Sequence, residues 1–116
     1  MAHILSVSYD ELLLWTRRLL LEAHGYTVTS AFGFKDSTRC CQIGGFDLFI
    51  LGHSIPERDK EALIKEFRAS GSAPIVSLRK VSEPEVAGAD YHIEPDPESV
   101  LNLVGALVGE NTAKSA

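Results

Sequence analysis

The chain has 116 residues, 45% hydrophobic and 23% charged, the composition of one globular domain rather than a disordered, collagenous or coiled-coil chain. Its 16 acidic and 11 basic residues leave a net charge of −5, a field that repels phosphate backbones and speaks against nucleic-acid binding. No apolar run approaches the ~20 residues that span a bilayer. Residues 1–9 lack the basic-then-apolar order of a signal peptide, so a cytoplasmic protein with no membrane partner is expected.

His3 to Ser8 is a short apolar and β-branched run, which predicts a first strand. Asp10 to His24 predicts a helix, with Asp10 as N-cap, Glu11 in the first turn and Gly25 at the left-handed C-terminal position. Tyr26 to Ala31 alternates and is rich in β-formers, a second strand. Phe34 to Gln42 reads as a weaker helix stopped by Gly44 and Gly45. Phe46 to Leu51 is nearly continuous in apolar residues, the pattern of a central strand covered on both faces.

After a loop over Gly52 to Pro56, Glu57 to Ser70 predicts an amphipathic helix that turns Ala62, Leu63, Ile64 and Phe67 inward. Ala73 to Leu78 is a fourth strand. Arg79 to Gly88 is short and interrupted by Pro84, leaving room for one helical turn or none. Asp90 to Ile93 is a fifth strand, and Asp96 caps a last helix with Pro97 at its first position. Val100, Leu101, Leu103, Val104, Leu107 and Val108 give that helix one wide apolar face. A single domain over residues 1–109 and a frayed polar tail over 110–116 are expected.

Cys40 and Cys41 are the two cysteines, and they are adjacent. A bridge between neighbours is strained and two thiols make no metal site, so two reduced thiols on a helix, at least one of them packed, are expected. The four histidines show no ligand spacing, and no metal and no cofactor are expected.

Strands alternating with helices predict an α/β domain: a doubly wound, five-stranded parallel sheet covered on both faces. Chemistry in such sheets gathers at the carboxyl ends of the strands. Those ends fall on Ser8, Tyr9 and Asp10, then Gly52, His53 and Ser54, then Arg79 and Lys80, then Glu94 and Pro95.

Over residues 3–108 the chain resembles the receiver domain of two-component response regulators, through the runs Ile4–Glu11 (ILSVSYDE), Arg17–Val28 (RRLLLEAHGYTV), Phe46–Pro56 (FDLFILGHSIP), Ala73–Leu78 (APIVSL) and Gly88–Pro95 (GADYHIEP). The resemblance implies the flavodoxin-like strand order 2-1-3-4-5. It also implies a phosphoacceptor aspartate and Mg²⁺-binding acids, and here this sequence departs from the family. The acidic pair falls on Ser8 and Tyr9, with Asp10 one place beyond; the acceptor aspartate falls on Gly52. The hydroxyl residue after the fourth strand falls on Arg79, and the lysine before the last proline falls on Glu94. The switch aromatic is kept as Tyr91. Mg²⁺ needs hard oxygen ligands, usually with a carboxylate among them, and a glycine offers no attacking group. The reading is therefore a pseudo-receiver with its fourth helix shortened or absent and its usual dimer face altered.

His53 in the mouth reads as a loop histidine held by a neighbour, the alternative being a substitute phosphoacceptor. Arg79 and Glu94 are expected to meet as an ion pair, the alternative being an anion site built on Arg79. On the first helix Leu13, Leu20 and Ala23 are taken as sheet-facing. Leu12, Trp15 and Leu19 form a second stripe, either packed on the last helix or exposed as a contact surface. The expected function is protein–protein interaction, with a signalling partner or with itself, as a non-enzymatic stand-alone module in phosphorelay-type signalling. The alternative is a small phosphate-binding, anion-binding or histidine-phosphorylated protein using His53 and Arg79.

Overall fold

A computed structural model describes residues 2–109, and the tail over 110–116 lies outside the described residues. The elements follow the expected alternation: β1 His3–Ser8, α1 Glu11–Ala23, β2 Thr27–Phe32, α2 Gly33–Ile43, β3 Leu48–Leu51, α3 Glu57–Ser70, β4 Ile75–Leu78, β5 Tyr91–Ile93 and α4 Pro97–Val108. The strands form one parallel sheet in the order β2-β1-β3-β4-β5. No helix forms between β4 and β5, where only turns and bends connect Leu78 to Tyr91. None of the described helices is long and apolar enough to cross a membrane.

Local chemistry sets the element ends. Asp10 accepts from the Leu13 amide (3.1 Å) and Asp96 from the Ser99 amide (2.9 Å), so both expected N-caps form. Gly25 follows α1 with φ +90°, a left-handed conformation that glycine takes without strain.

The period of two along each strand divides the core between the faces of the sheet. Leu5, Val7, Phe49, Leu51 and Ile75 pack with Cys40, Cys41, Leu63, Ile64 and Phe67 on the α2–α3 side. Ile4, Leu48, Ile50, Val76 and Leu78 pack with Leu21, Val100 and Val104 on the α1–α4 side. Both cysteines are free and buried, as the adjacent pair on a helix implied. Phe49 stacks on Phe67 with ring centroids 4.5 Å apart.

The rotation of α1 departs from the sequence reading. Its buried residues are Leu14, Arg17 and Leu21, spaced i, i+3 and i+7. Leu13 and Leu20 sit on the flank of the helix, partly buried, and Ala23 is exposed. The reason is Arg17. Its guanidinium finds polar partners beneath the sheet mouth, so a charged residue takes the inward position that the sequence reading reserved for apolar ones. Leu12, Trp15 and Leu19 consequently point outward, at 69%, 56% and 49% exposure, and do not pack on the last helix.

Candidate functional site at the carboxyl ends of the strands

In the order β2-β1-β3 the direction in which successive strands are added reverses between β1 and β3, and the crevice beyond their carboxyl ends is the natural place for a site. Gly52 stands at its centre and donates its amide to the Val7 carbonyl (2.9 Å). A Cβ at position 52 would lie 3.0 Å from that carbonyl oxygen, 3.1 Å from Arg17 Nη2 and 3.4 Å from Ser8 Cβ. The place a side chain would take is therefore already filled, largely by the arginine.

Arg17 reaches this point from α1. Its Nη1 donates to Ser6 Oγ (3.0 Å) and to the Val7 carbonyl (3.3 Å). The residue is 8% exposed and has no carboxylate partner among the described residues. Burial without an opposite charge lowers its pKa to about 10.

A second buried cation stands on the other face. Lys60 of α3 is 5% exposed and donates from Nζ to Ser77 Oγ (2.8 Å) and to the Leu78 carbonyl (2.9 Å). Burial lowers its pKa to about 8, with Arg79 acting in the same direction and Glu83 and Glu57 in the other. Sequence reasoning missed both cations because charged helix residues are assigned to the surface by default. Their phase was the available signal, since Arg17 falls in the row Leu14–Leu21 and Lys60 lies three, four and seven places before Leu63, Ile64 and Phe67.

Hydroxyls gather at the carboxyl end of β1. The Asp10 amide donates to the buried Ser8 Oγ (3.0 Å), which lies 3.2 Å from Ser54 Oγ. The Tyr9 amide donates to Ser54 Oγ (3.0 Å), and the Tyr9 hydroxyl donates to Asp59 (2.8 Å). Burial and that bond to Asp59 raise the phenol pKa well above its ordinary value. This network ties the β1–α1 loop to the β3–α3 loop. The donor set does not fit Mg²⁺: Asp10 is engaged as the cap of α1, Gly52 has no side chain, and the Arg17 guanidinium beside Gly52 repels a divalent cation. Among the described residues no three His, Cys, Asp or Glu side chains converge as a metal site.

Arg79 and Glu94 do not form the expected ion pair. Arg79 Nη2 pairs with Glu85 (3.1 Å), and its Nη1 donates to the Glu83 carbonyl (2.9 Å) and more weakly to that of Val81 (3.4 Å). Without a helix between β4 and β5, that connection folds back over the end of β4 and captures the guanidinium. Arg79 and Glu94 share a cavity of about 450 Å³, and His53 lines two others. Tyr91 lies on β5 with its side chain partly exposed.

Lys60 yields a pH prediction. An ammonium whose folded pKa is about 8, against an ordinary 10.5, loses its proton in the folded chain first as pH rises. Between those values the unfolded chain binds more protons, so this group's contribution to stability increases with pH. Urea unfolding of the wild type and of Lys60→Met, stepped from about pH 7.5 to about pH 10, should show the difference moving toward the wild type by about 1–3 kcal/mol. A difference that is flat or moves the other way contradicts the burial of a charged Lys60.

No protein-family model matches the chain, and no curated protein sequence does. Solved structures do. A two-component response regulator from Clostridium difficile superposes with a TM-score of 0.80 at 22% identity, covering 93% of this chain and 96% of that one. A CheY-like response regulator receiver domain from Methylobacillus flagellatus gives 0.77 at 18% identity, covering 92% and 98%. A response regulator from Thermotoga maritima in complex with Mg²⁺–BeF gives 0.79 at 21% identity, covering 92% and 99%. The chain has the receiver fold of response regulators.

Proposed function

We propose that the chain is a receiver-fold signalling module that accepts no phosphoryl group at the mouth of its sheet, holds no Mg²⁺ there, and acts by binding protein rather than as an enzyme. The observation that carries this reading is the pairing of Gly52 with the buried Arg17. The position matching the family's acceptor has no side chain, and the space beside it holds a fixed positive charge. Ser8 and Tyr9 supply hydroxyls already engaged with Asp10, Ser54 and Asp59. Glu94 puts a negative charge where a phosphate-binding lysine would stand. Without the β4–β5 helix the family's usual output face is incomplete, which moves attention to α1. The outward stripe of Leu12, Trp15 and Leu19 is the proposed contact surface, for a signalling partner or a second copy. Each large apolar side chain buried there could contribute about 1.5–3 kcal/mol before ordering costs. The alternative use of His53 and Arg79 as one anion site is the weaker reading, because the Arg79 guanidinium is engaged by Glu85 and the carbonyls of Val81 and Glu83.

A Mg²⁺ titration followed through backbone amide resonances tests the metal half of the reading. The amides of Ser8, Tyr9, Gly52 and His53 should show no saturable shift. Saturable shifts confined to those residues would mean that a divalent cation binds despite Arg17.

A further inference from the structure

The geometry points to a binding site for a small monocarboxylate with a compact apolar body, in the groove between α1 and the start of α4. A cavity of about 550 Å³ opens there, within the range of ligand pockets. Leu13 and Leu20 line it from α1, and Pro95, Pro97 and Val100 from α4 and its approach, so most of its wall has no use for a polar molecule. Arg17 is the buried member of its polar lining. It lines the same cavity and is more than nine-tenths buried, and both of its hydrogen bonds run through Nη1. Its Nε and Nη2 have no acceptor among the described residues. Neither atom is sealed away from open space: the buried polar side-chain atoms without a partner are Ser30 Oγ and Arg79 Nε among the described residues. A planar carboxylate matches such a fork with two parallel bonds. The wall of leucine, proline and valine would take the hydrocarbon portion.

The charge around the site narrows the ligand class. Glu94 and Asp96 also line the cavity, Glu94 exposed and Asp96 engaged as the cap of α4. Two carboxylates lining the same cavity disfavour a dianion, so the site selects a singly charged head over a phosphate. His53 borders the cavity as a further polar group. This inference is independent of whether α1 binds protein, because Leu13, Thr16, Arg17 and Leu20 face the groove while Leu12, Trp15 and Leu19 face away from it.

Octanoate, 1-octanol, acetate and inorganic phosphate separate the contributions of head and body, with binding read from amide shifts of the full chain. Octanoate should shift residues 13–20, 52–53 and 96–100 saturably and bind about tenfold or more tighter than each of the other three. Arg17→Met should abolish the preference for octanoate over octanol. Leu13→Trp, which fills the cavity and keeps the guanidinium, should weaken both and remains informative if Arg17→Met does not fold. Octanoate shifts that are absent or lie elsewhere would overturn the inference. So would phosphate binding as tightly as octanoate, or an octanoate preference that survives in Arg17→Met.

Discussion

Truncating two adjacent residues of α1 should give opposite outcomes. Leu14 is 6% exposed and its neighbour Trp15 is 56% exposed. Leu14→Ala should lower unfolding stability by about 2–5 kcal/mol, the cost of lost apolar burial and of the cavity left behind. Trp15→Ala, though it removes far more atoms, should cost less than about 1 kcal/mol, as surface substitutions do. Trp15 is the sole tryptophan and is lost in Trp15→Ala, so circular dichroism is the probe common to both variants. If the large loss fell on Trp15, the helix would be rotated so that the aromatic stripe packs on α4, and neither the buried Arg17 nor the proposed contact surface would survive. The same two variants address association. Trp15→Ala should weaken any self-association or partner binding that the wild type shows, while Leu14→Ala should act only through folding.

Gly52→Ala should destabilise the chain by about 1–3 kcal/mol, although alanine is ordinarily harmless in an extended segment. The new Cβ would meet the Val7 carbonyl oxygen at 3.0 Å. That oxygen cannot easily retreat, because it accepts from the Gly52 amide at 2.9 Å and from Arg17 Nη1 at 3.3 Å. Relief therefore requires either a strand shift or displacement of a buried guanidinium from its partners, and both carry a cost. Thermal or urea unfolding gives the value. A neutral Gly52→Ala would mean that the mouth is looser than the packing around Gly52 implies. Gly52→Asp meets the same contacts and places its carboxylate against Arg17, with no second acid at Ser8 or Tyr9 to complete a Mg²⁺ site.

The framework of this protein was legible in its sequence for identifiable reasons. Apolar runs such as Leu48–Leu51 are covered on both faces, Asp10 and Asp96 are polar caps before apolar periodic segments, and Gly25 supplies the left-handed turn after α1. The strand order followed from the family resemblance rather than from periodicity, which cannot rank strands in a sheet. The missing helix before β5 was foreshadowed by Pro84 in a short connection. What escaped was the polar interior of the site. Arg17 and Lys60 sit in the inward rows of their helices, and their burial depends on acceptors supplied by other elements, Ser6, Val7, Ser77 and Leu78, which no local pattern reveals. The Arg79–Glu94 pairing failed for the same reason. Neighbouring strand ends made it plausible, but the guanidinium is captured by Glu85 and the carbonyls of the irregular β4–β5 connection.

The mouth of this sheet is thus built around two buried cations and a glycine, Arg17 and Lys60 lying on either face and Gly52 between β3 and the loop that follows. In-line phosphoryl transfer needs a positioned nucleophile and, in this fold's usual chemistry, a metal to neutralise the developing charge. The most direct test is incubation of the full chain with acetyl phosphate and Mg²⁺, followed by intact mass measurement. The unmodified mass alone is the expected result. An acid-labile adduct of one phosphate would contradict the central claim, and its localisation to His53 would show that the histidine beside Gly52 had taken over the acceptor role.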